Sequence, residues 1–435
     1  MSTVVEQLDQ IFNGSDDYVV IYHVIGKCEL RITGLNSLVD LPKSLNLLEE
    51  QVKGQAYEGE RDKRNGKQEV SDYLQALLEG KLIVSSKECQ HPWVFNESVG
   101  LSLSRPVEGP TNDNILQGPL SAFTEDLSLN LGLIRKEMVS SSLTVKSFEM
   151  GTGQKRNVSL LFRSDKVKQS LVEKVICILE ENSRTEVSTI QDILNICNGS
   201  KKHLISYFYK TELPQEVNKS LLAGKVVLFM DRYPFALILP NGLADMFFLE
   251  NDRNYTYPLM LVMRFIRIIG VLLALILPGL YIALVSVNPE MLRVELALTV
   301  AQSREGVPYP AFVEVILLLV VLELILEANV RLPKSIGPTI TMVGGIIIGQ
   351  AAVDARLVSN LLIIVLAATT IASSSIVGIQ NSLVIRVFKY IVMVLSAIFG
   401  VLGLFTGLFV VASYVASLTI LGVPYFTIKG VERDG

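Results

Sequence analysis

The chain has 435 residues, half of them hydrophobic and 19% charged, with a formal net charge of −4 and a mean hydropathy of +0.42. That is too apolar for an ordinary globular protein and too charged for a pure membrane bundle, so two kinds of material share one chain. The acidic balance argues against nucleic acid as a partner, which would call for a basic face.

The first half reads as soluble α/β material. Residues 1–20 lack the basic start and apolar core of a signal peptide, so membrane insertion is expected to begin at an internal segment. Tyr18–Ile25 (YVVIYHVI) is an apolar strand, and Glu29–Thr33 is placed to pair with it across Gly26-Lys27-Cys28. Helical segments are expected near Leu45–Val52 and Val70–Leu78, separated by a polar, solvated loop at Gly54–Glu69. Lys81–Ser85 begins a second set of short strands that includes His91 and Trp93. We read those two as a packed edge, because no second ligand sits at metal spacing. Arg105–Leu116 is a turn-rich connector, after which Gly118-Pro119 is expected to open a helix carrying Phe123, Leu127, Ile134 and Met138 on one face.

A hairpin follows, Leu143–Met150 and Asn157–Phe162, joined through Gly151-Thr152-Gly153. Lys166–Glu180 and Val187–Cys197 then read as helices, Leu204–Tyr209 as a strand and Gln215–Leu222 as a helix. Lys225–Met230 and Phe235–Leu239 form a closing hairpin turned by Asp231-Arg232-Tyr233-Pro234. This alternation favours an α/β domain. It contains no Gly-rich phosphate loop and no catalytic pair, so neither enzyme activity nor a cofactor is expected. Cys28, Cys89, Cys177 and Cys197 are widely spaced with no CxxC pair, which is read most simply as a reduced compartment.

From Leu259 onward the chain reads as membrane. Ile268–Val287 offers 20 uncharged residues, enough for roughly 30 Å of hydrocarbon. Arg253, Arg264 and Arg267 precede it and place that side in the cytoplasm by the positive-inside rule. Pro310–Ala328 is a second span. It carries Glu314, Glu323 and Glu327, with Glu323 and Glu327 about 40° apart on one face and Glu314 opposite Glu323. A carboxylate within a bilayer is costly, so all three are candidate pore or gating residues, Glu323 foremost for its depth. Ion pairing with Arg331, Arg293 or Arg304 is the structural alternative, weighted toward Glu314 and Glu327.

Gly344 and Gly345 lie in the short segment Pro338–Val353, where they would permit close helix approach or a re-entrant turn. In the loop REGVPYP, Arg304, Glu305, Pro308 and Pro310 either aim the second span or contact another subunit. Leu357–Ile379 is a further span whose Ser and Thr residues more often bond back to their own helix than line water. Arg386 and Lys389 mark a cytoplasmic edge, and Gly400, Gly403 and Gly407 are placed to break Tyr390–Leu421 into two passes.

Four stretches carry a resemblance: GPLSAFTEDLSLNLGLIRKEM (118–138), DRYPFALILP (231–240), PEMLRVELALTVAQSREGVPYPAFVE (289–314) and VRLPKSIGPTITMVGGIIIGQAAVDARLVS (330–359). They resemble the A subunit of spore germinant receptors, the GerA family, over residues 116–163 and 225–425. The resemblance implies an α/β cytoplasmic N-terminal region of two subdomains (1–115 and 116–250) and an all-α polytopic membrane domain (251–425) of four to six spans. A short tail, 426–435, completes the chain. It also implies residence in the spore inner membrane, a nutrient-binding transporter-like B subunit, a lipoprotein C subunit, and a homo-oligomeric ring that conducts ions when nutrient binds. A secondary transporter and a non-conducting membrane scaffold are the rival functions, and no inverted repeat supports the transporter.

The sequence departs from the family pattern at several points. Leu319 stands where a glutamate is usual, Ser128 and Leu120 replace commonly basic positions, and Arg232 replaces a turn glycine. The chain also stops at Gly435, where family members usually continue, so either a short variant or a damaged gene is expected.

Overall fold

In a computed structural model of the chain, residues 2–25, 28–53, 70–86, 92–101, 121–198, 204–247, 252, 255–332, 337–376 and 378–426 are described. The loop 54–69, His91, the connector 105–116, Gly118-Pro119 and Arg253 lie outside these residues. Two antiparallel sheets come first. In one, β1 (Tyr18–Ile25), β2 (Cys28–Leu35), β3 (Leu82–Ser86) and β4 (Trp93–Phe95) lie in sequence order, with Tyr18 opposite Leu35. Leu30, Ile32, Leu82 and Val84 are buried in one cluster with residues of α1 (Ser2–Ile11), α2 (Leu41–Lys53) and α3 (Val70–Leu78). The sequence reading missed α1, a short amphipathic helix that stacks Phe12, just beyond its end, on Tyr18 with ring centroids 5.1 Å apart.

The second sheet runs β5 (Leu143–Met150), β6 (Arg156–Arg163), β8 (Val226–Met230), β9 (Ala236–Leu239) and β7 (Tyr209–Thr211). Its central strands are apolar on both faces because helices cover both. Val158, Leu160 and Leu228 pack with α5 (Gln169–Glu181) and α6 (Ile190–Asn198), while Leu161, Val227 and Phe229 pack with α4 (Leu127–Glu137) and α7 (Pro214–Leu222). This is the pattern of a sheet buried between helical layers.

Two expected elements differ. The α4 helix begins at Leu127, because the Asp126 carboxylate accepts the Ser128 and Leu129 amides, so Phe123 lies outside it and packs edge-on against Phe229. Leu204–Ile205 form no strand with the rest, since Ser206 Oγ folds back to bond Phe208, and the strand is only Tyr209–Thr211.

The joint between the two sheets is polar and buried. Arg135 of α4 donates a two-pronged pair of bonds to Asp17, at 2.9 and 2.8 Å, and a third to Ser15 Oγ. The Asp16 amide bonds Val145 O, and Ser15 Oγ and the Asp16 carboxylate accept the Val145 and Ser147 amides. The exposed edge of β5 is thereby capped by the segment that leads into β1.

The remainder is helical. The α8 helix (Tyr257–Ile282, with a π turn to Val287), α10 (Ala311–Arg331), α11 (Gly337–Asp354), α12 (Asn360–Ser374) and α13 (Ile379–Ser417) pack together, with the short α9 (Val294–Ser303) beside them. Among the described residues, two helices are long and apolar enough to cross a membrane, Tyr257–Val287 and Gln380–Ser417, with mean hydropathies of 2.7 and 2.4. Leu261, Phe265, Leu272, Ile364, Ile371, Leu402 and Phe409 are among many large apolar side chains left exposed on these helices.

The α13 helix is not one rod. At Gly400 the backbone turns to φ 63°, and beyond it the chain reverses. A Cβ built on Gly407 would lie 3.0 Å from the Cα of Val392, whereas a straight helix would separate them by about 22 Å. Phe388 and Tyr414 also meet, with ring centroids 5.8 Å apart. The reversal is held by Asn288, whose Oδ1 accepts the Val401 amide at 3.0 Å and abuts Gly400, leaving no room for a side chain there. Among the described residues, the region therefore comprises six rods. Their ends nearest the second sheet are called near, and the opposite ends far.

Candidate functional site

The three glutamates of α10 project to three different partners. Glu314, one turn into the helix, is completely buried. Its carboxylate accepts Arg304 Nε at 3.1 Å and an Arg304 terminal nitrogen at 2.7 Å. Its other oxygen faces the Ser359 amide at 3.4 Å, where Ser359 caps α12, and Ser359 Oγ meets the Tyr281 hydroxyl at 2.9 Å. A carboxylate at a helix N-terminus also complements the helix dipole. One buried anion thus gathers α8, α10, α12 and the loop after α9 at the far end.

Glu323 lies near the middle of α10 and reaches α13. It bonds Arg386 at 2.8 Å and Lys389 at 3.5 Å, and the Tyr390 hydroxyl donates to it at 3.4 Å. Glu327 is on the surface, bonded to Arg331 one turn on at 2.7 Å, and both side chains are mostly exposed. Such a pair contributes about 0.5 kcal/mol at most. The 40° separation of Glu323 and Glu327 does not make them a pair: the first turns toward a neighbouring helix and the second toward the surface.

The other sequence candidates divide. In the loop, Arg304 is drawn inward by Glu314 and also bonds Tyr309 O at 3.0 Å, so it anchors the start of α10. Pro310 is the residue just before α10 and fixes its entry, while Glu305 and Pro308 are both exposed. Gly306, at φ 86°, takes a backbone conformation that favours glycine, and a Cβ there would meet the Arg356 side chain. Gly344 and Gly345 sit on α11 with nothing within 4 Å of where a Cβ would be, so they make no close approach inside this chain. Leu319 is buried beside Val315, Leu318 and Leu362 and faces the helix core. On α12, Thr369, Thr370, Ser373, Ser374 and Ser375 all bond back to carbonyls of their own helix.

Sequence reasoning missed Tyr281, Ser359 and Asn288 as polar anchors, and it read Arg386 and Lys389 only as an edge marker. Their one sequence signal was an uncommon polar residue within an apolar run. A cavity of about 240 Å³ lies between α6 and α13, lined by Gln191, Leu194, Ser206, Gln380 and Val384 among others. Among the described residues, no group of three or more His, Cys, Asp or Glu is placed to hold a metal ion.

Comparison with known proteins finds relatives over most of the chain. A model of the Bacillus/Clostridium GerA spore germination protein family matches residues 6–431. The chain is 31% identical to spore germination protein GerLA of Bacillus cereus, covering 82% of this chain and 72% of that one. It is 30% identical to spore germination protein A1 of Bacillus subtilis (strain 168), over 82% and 74% of the two chains. With spore germination protein XA of Bacillus anthracis the identity is 29%, over 80% and 70%. A crystal structure of the N-terminal domain of the A subunit of the Bacillus megaterium spore germinant receptor GerK3 overlaps 54% of this chain and 92% of that chain. Its identity of 18% and TM-score of 0.36 are too low to build on.

Proposed function

Because the chain belongs to the Bacillus/Clostridium GerA spore germination protein family, we propose that it is the A-type membrane subunit of a germinant receptor and forms an ion path gated by nutrient. The observation that carries the membrane part is the helical region itself: six antiparallel rods with extensive apolar exposure, a composition that water does not favour and hydrocarbon does. Orientation follows from charge. Arg264, Arg267, Arg331, Arg386 and Lys389 all lie toward the near ends, so the α/β region is cytoplasmic and the far ends, with Asn288 and the loop after α9, face outward. Residence in the spore inner membrane, with a transporter-like B subunit and a lipoprotein C subunit as companions, completes this reading.

The path itself needs more than one chain. Each of the three glutamates has a cation partner within the protomer, so Glu323 acts as the polar joint between α10 and α13 more naturally than as a bare pore lining. Gating is then a shift in how α10 and α11 sit on the other helices, driven by nutrient bound to the partner subunit. The unfilled glycine face of α11, Gly344 and Gly345, is the surface for a second copy.

The deciding experiment is ion flux from vesicles containing the purified assembly. Flux that depends on nutrient and on the partner supports the channel. Nutrient uptake without ion leak favours a transporter, and absence of both favours a scaffold. Glu323→Gln should alter conductance or germination while protein levels stay near normal; unchanged conductance and germination would remove Glu323 from the gate. Gly344→Leu, whose Cβ would have nothing within 4 Å among the described residues of one chain, should leave the protomer folded and disturb only the oligomer on native gels.

A further inference from the structure

Toward the near end of α10, the charges do not balance. Glu327 and Arg331 satisfy each other at the surface. Arg386 and Lys389, by contrast, share the single carboxylate of Glu323. The Lys389 side chain is only 8% exposed, and its ammonium has three protons to place. It finds one long contact at 3.5 Å and the face of the Tyr390 ring, 5.0 Å to the centroid. No other described carboxylate bonds either cation. One positive charge is therefore left without a counter-ion among apolar helices, an arrangement that is costly unless an anion arrives from outside.

We propose that this cluster binds the phosphodiester of an anionic phospholipid, with Arg386 as the primary contact and Lys389 behind it. Depth supports a lipid. Arg386 is seven residues into α13, about 10 Å along its axis, so its long side chain can reach head-group level from within the apolar region. Basic pockets between helices on the cytoplasmic side are where anionic head groups are held. The Arg386 side chain is 26% exposed, so its guanidinium can still bond outward. Ile391 and Val394 of the same helix are exposed, ready to contact acyl chains that a free phosphate lacks. The inference rests on reading these helices as membrane-spanning.

The test uses the full chain in nanodiscs of phosphatidylcholine, with or without phosphatidylglycerol, reading the thermal midpoint and the lipid retained in native mass spectrometry. Phosphatidylglycerol should be retained preferentially and should raise the midpoint. Arg386→Gln combined with Lys389→Met should abolish the preference, and Arg386→Lys, which keeps the charge and the fold, should retain it. Glu323→Gln should lower the midpoint in phosphatidylcholine and recover it when phosphatidylglycerol is added, a rescue that a purely packing role for Glu323 would not produce. Equal retention of both lipids by the parent chain overturns the proposal. So does inorganic phosphate reproducing the shift in neutral detergent, which would mark a free-anion site. A chain that fails to enter nanodiscs of either composition overturns the membrane reading itself, and this inference with it.

Discussion

Arg135 and Asp17 join two parts of the chain that the sequence keeps 118 residues apart. Both side chains are almost fully buried, at 1% and 4% exposure. Removing one partner strands the other charge, so Arg135→Ala should cost about 3–5 kcal/mol. That would read as a lower denaturation midpoint of the full chain, and an unchanged midpoint would show the joint to be dispensable. Arg232 is a position where the sequence works against the backbone. It occupies φ 66° in the turn between β8 and β9, where a side chain costs roughly 1–2 kcal/mol. Arg232→Gly should therefore raise stability by about 1 kcal/mol, once glycine's greater freedom in the unfolded chain is set against it. A drop in midpoint would count against this account.

Two cysteines test burial directly. Burial pushes the Cys197 thiol up to about 12, so it stays protonated at pH 8 and should resist alkylation until the domain unfolds. Cys177 is exposed, but its bond to the Glu181 carboxylate holds its thiol above the usual range. Glu181→Gln should thus lower that value and speed Cys177 labelling, measured peptide by peptide.

At the level of elements, the hairpin in α13 gives the sharpest prediction. Cysteines placed by Val392→Cys and Gly407→Cys should form a disulfide, because the two backbones lie at bridging distance. A continuous helix could not form that bond within one chain. Gly400→Val should abolish the cross-link, since the turn needs both its positive φ and the space taken by Asn288.

The element scale also shows what a sequence can and cannot say. Most strands of the two sheets, though not β7, were legible because apolar runs between turn residues have few other uses, and three glycines in a long greasy run correctly marked a break. The start of α4 was misplaced because Gly118-Pro119 is a strong helix-opening signal, whereas the operative cap is the single carboxylate of Asp126. The α1 helix escaped, although it is no shorter than α3 and α7, which were legible. For the candidate site, the acidic positions were visible as oddities in an apolar helix, but their partners were not. Glu323 finds Arg386 across 63 residues, and helical spacing describes one helix without saying which neighbour each face meets.

For the whole molecule, alternation of the six rods predicts sidedness. In oriented vesicles, Glu305→Cys in the loop after α9 should react with an impermeant maleimide from the side opposite the α/β region, and Glu327→Cys should not. Reaction of both from one side would rule out the arrangement.

The reversal at Gly400 also returns the chain to where it entered. After α13, the paired segments Thr419–Ile420 and Val423–Pro424 bring Tyr425 against the second sheet's domain, where its carbonyl accepts the Leu243 amide at 3.0 Å. Lys174 reaches Leu421 O, and the Tyr414 hydroxyl meets the Leu204 amide. At the entrance, Arg267 is bonded to Asp252 and to Phe247 O. The globular part is thus moored to the greasy part at the first rod and again at the last. A tilt of either rod must drag the sheet with it, as a lever held at two points cannot swing about one.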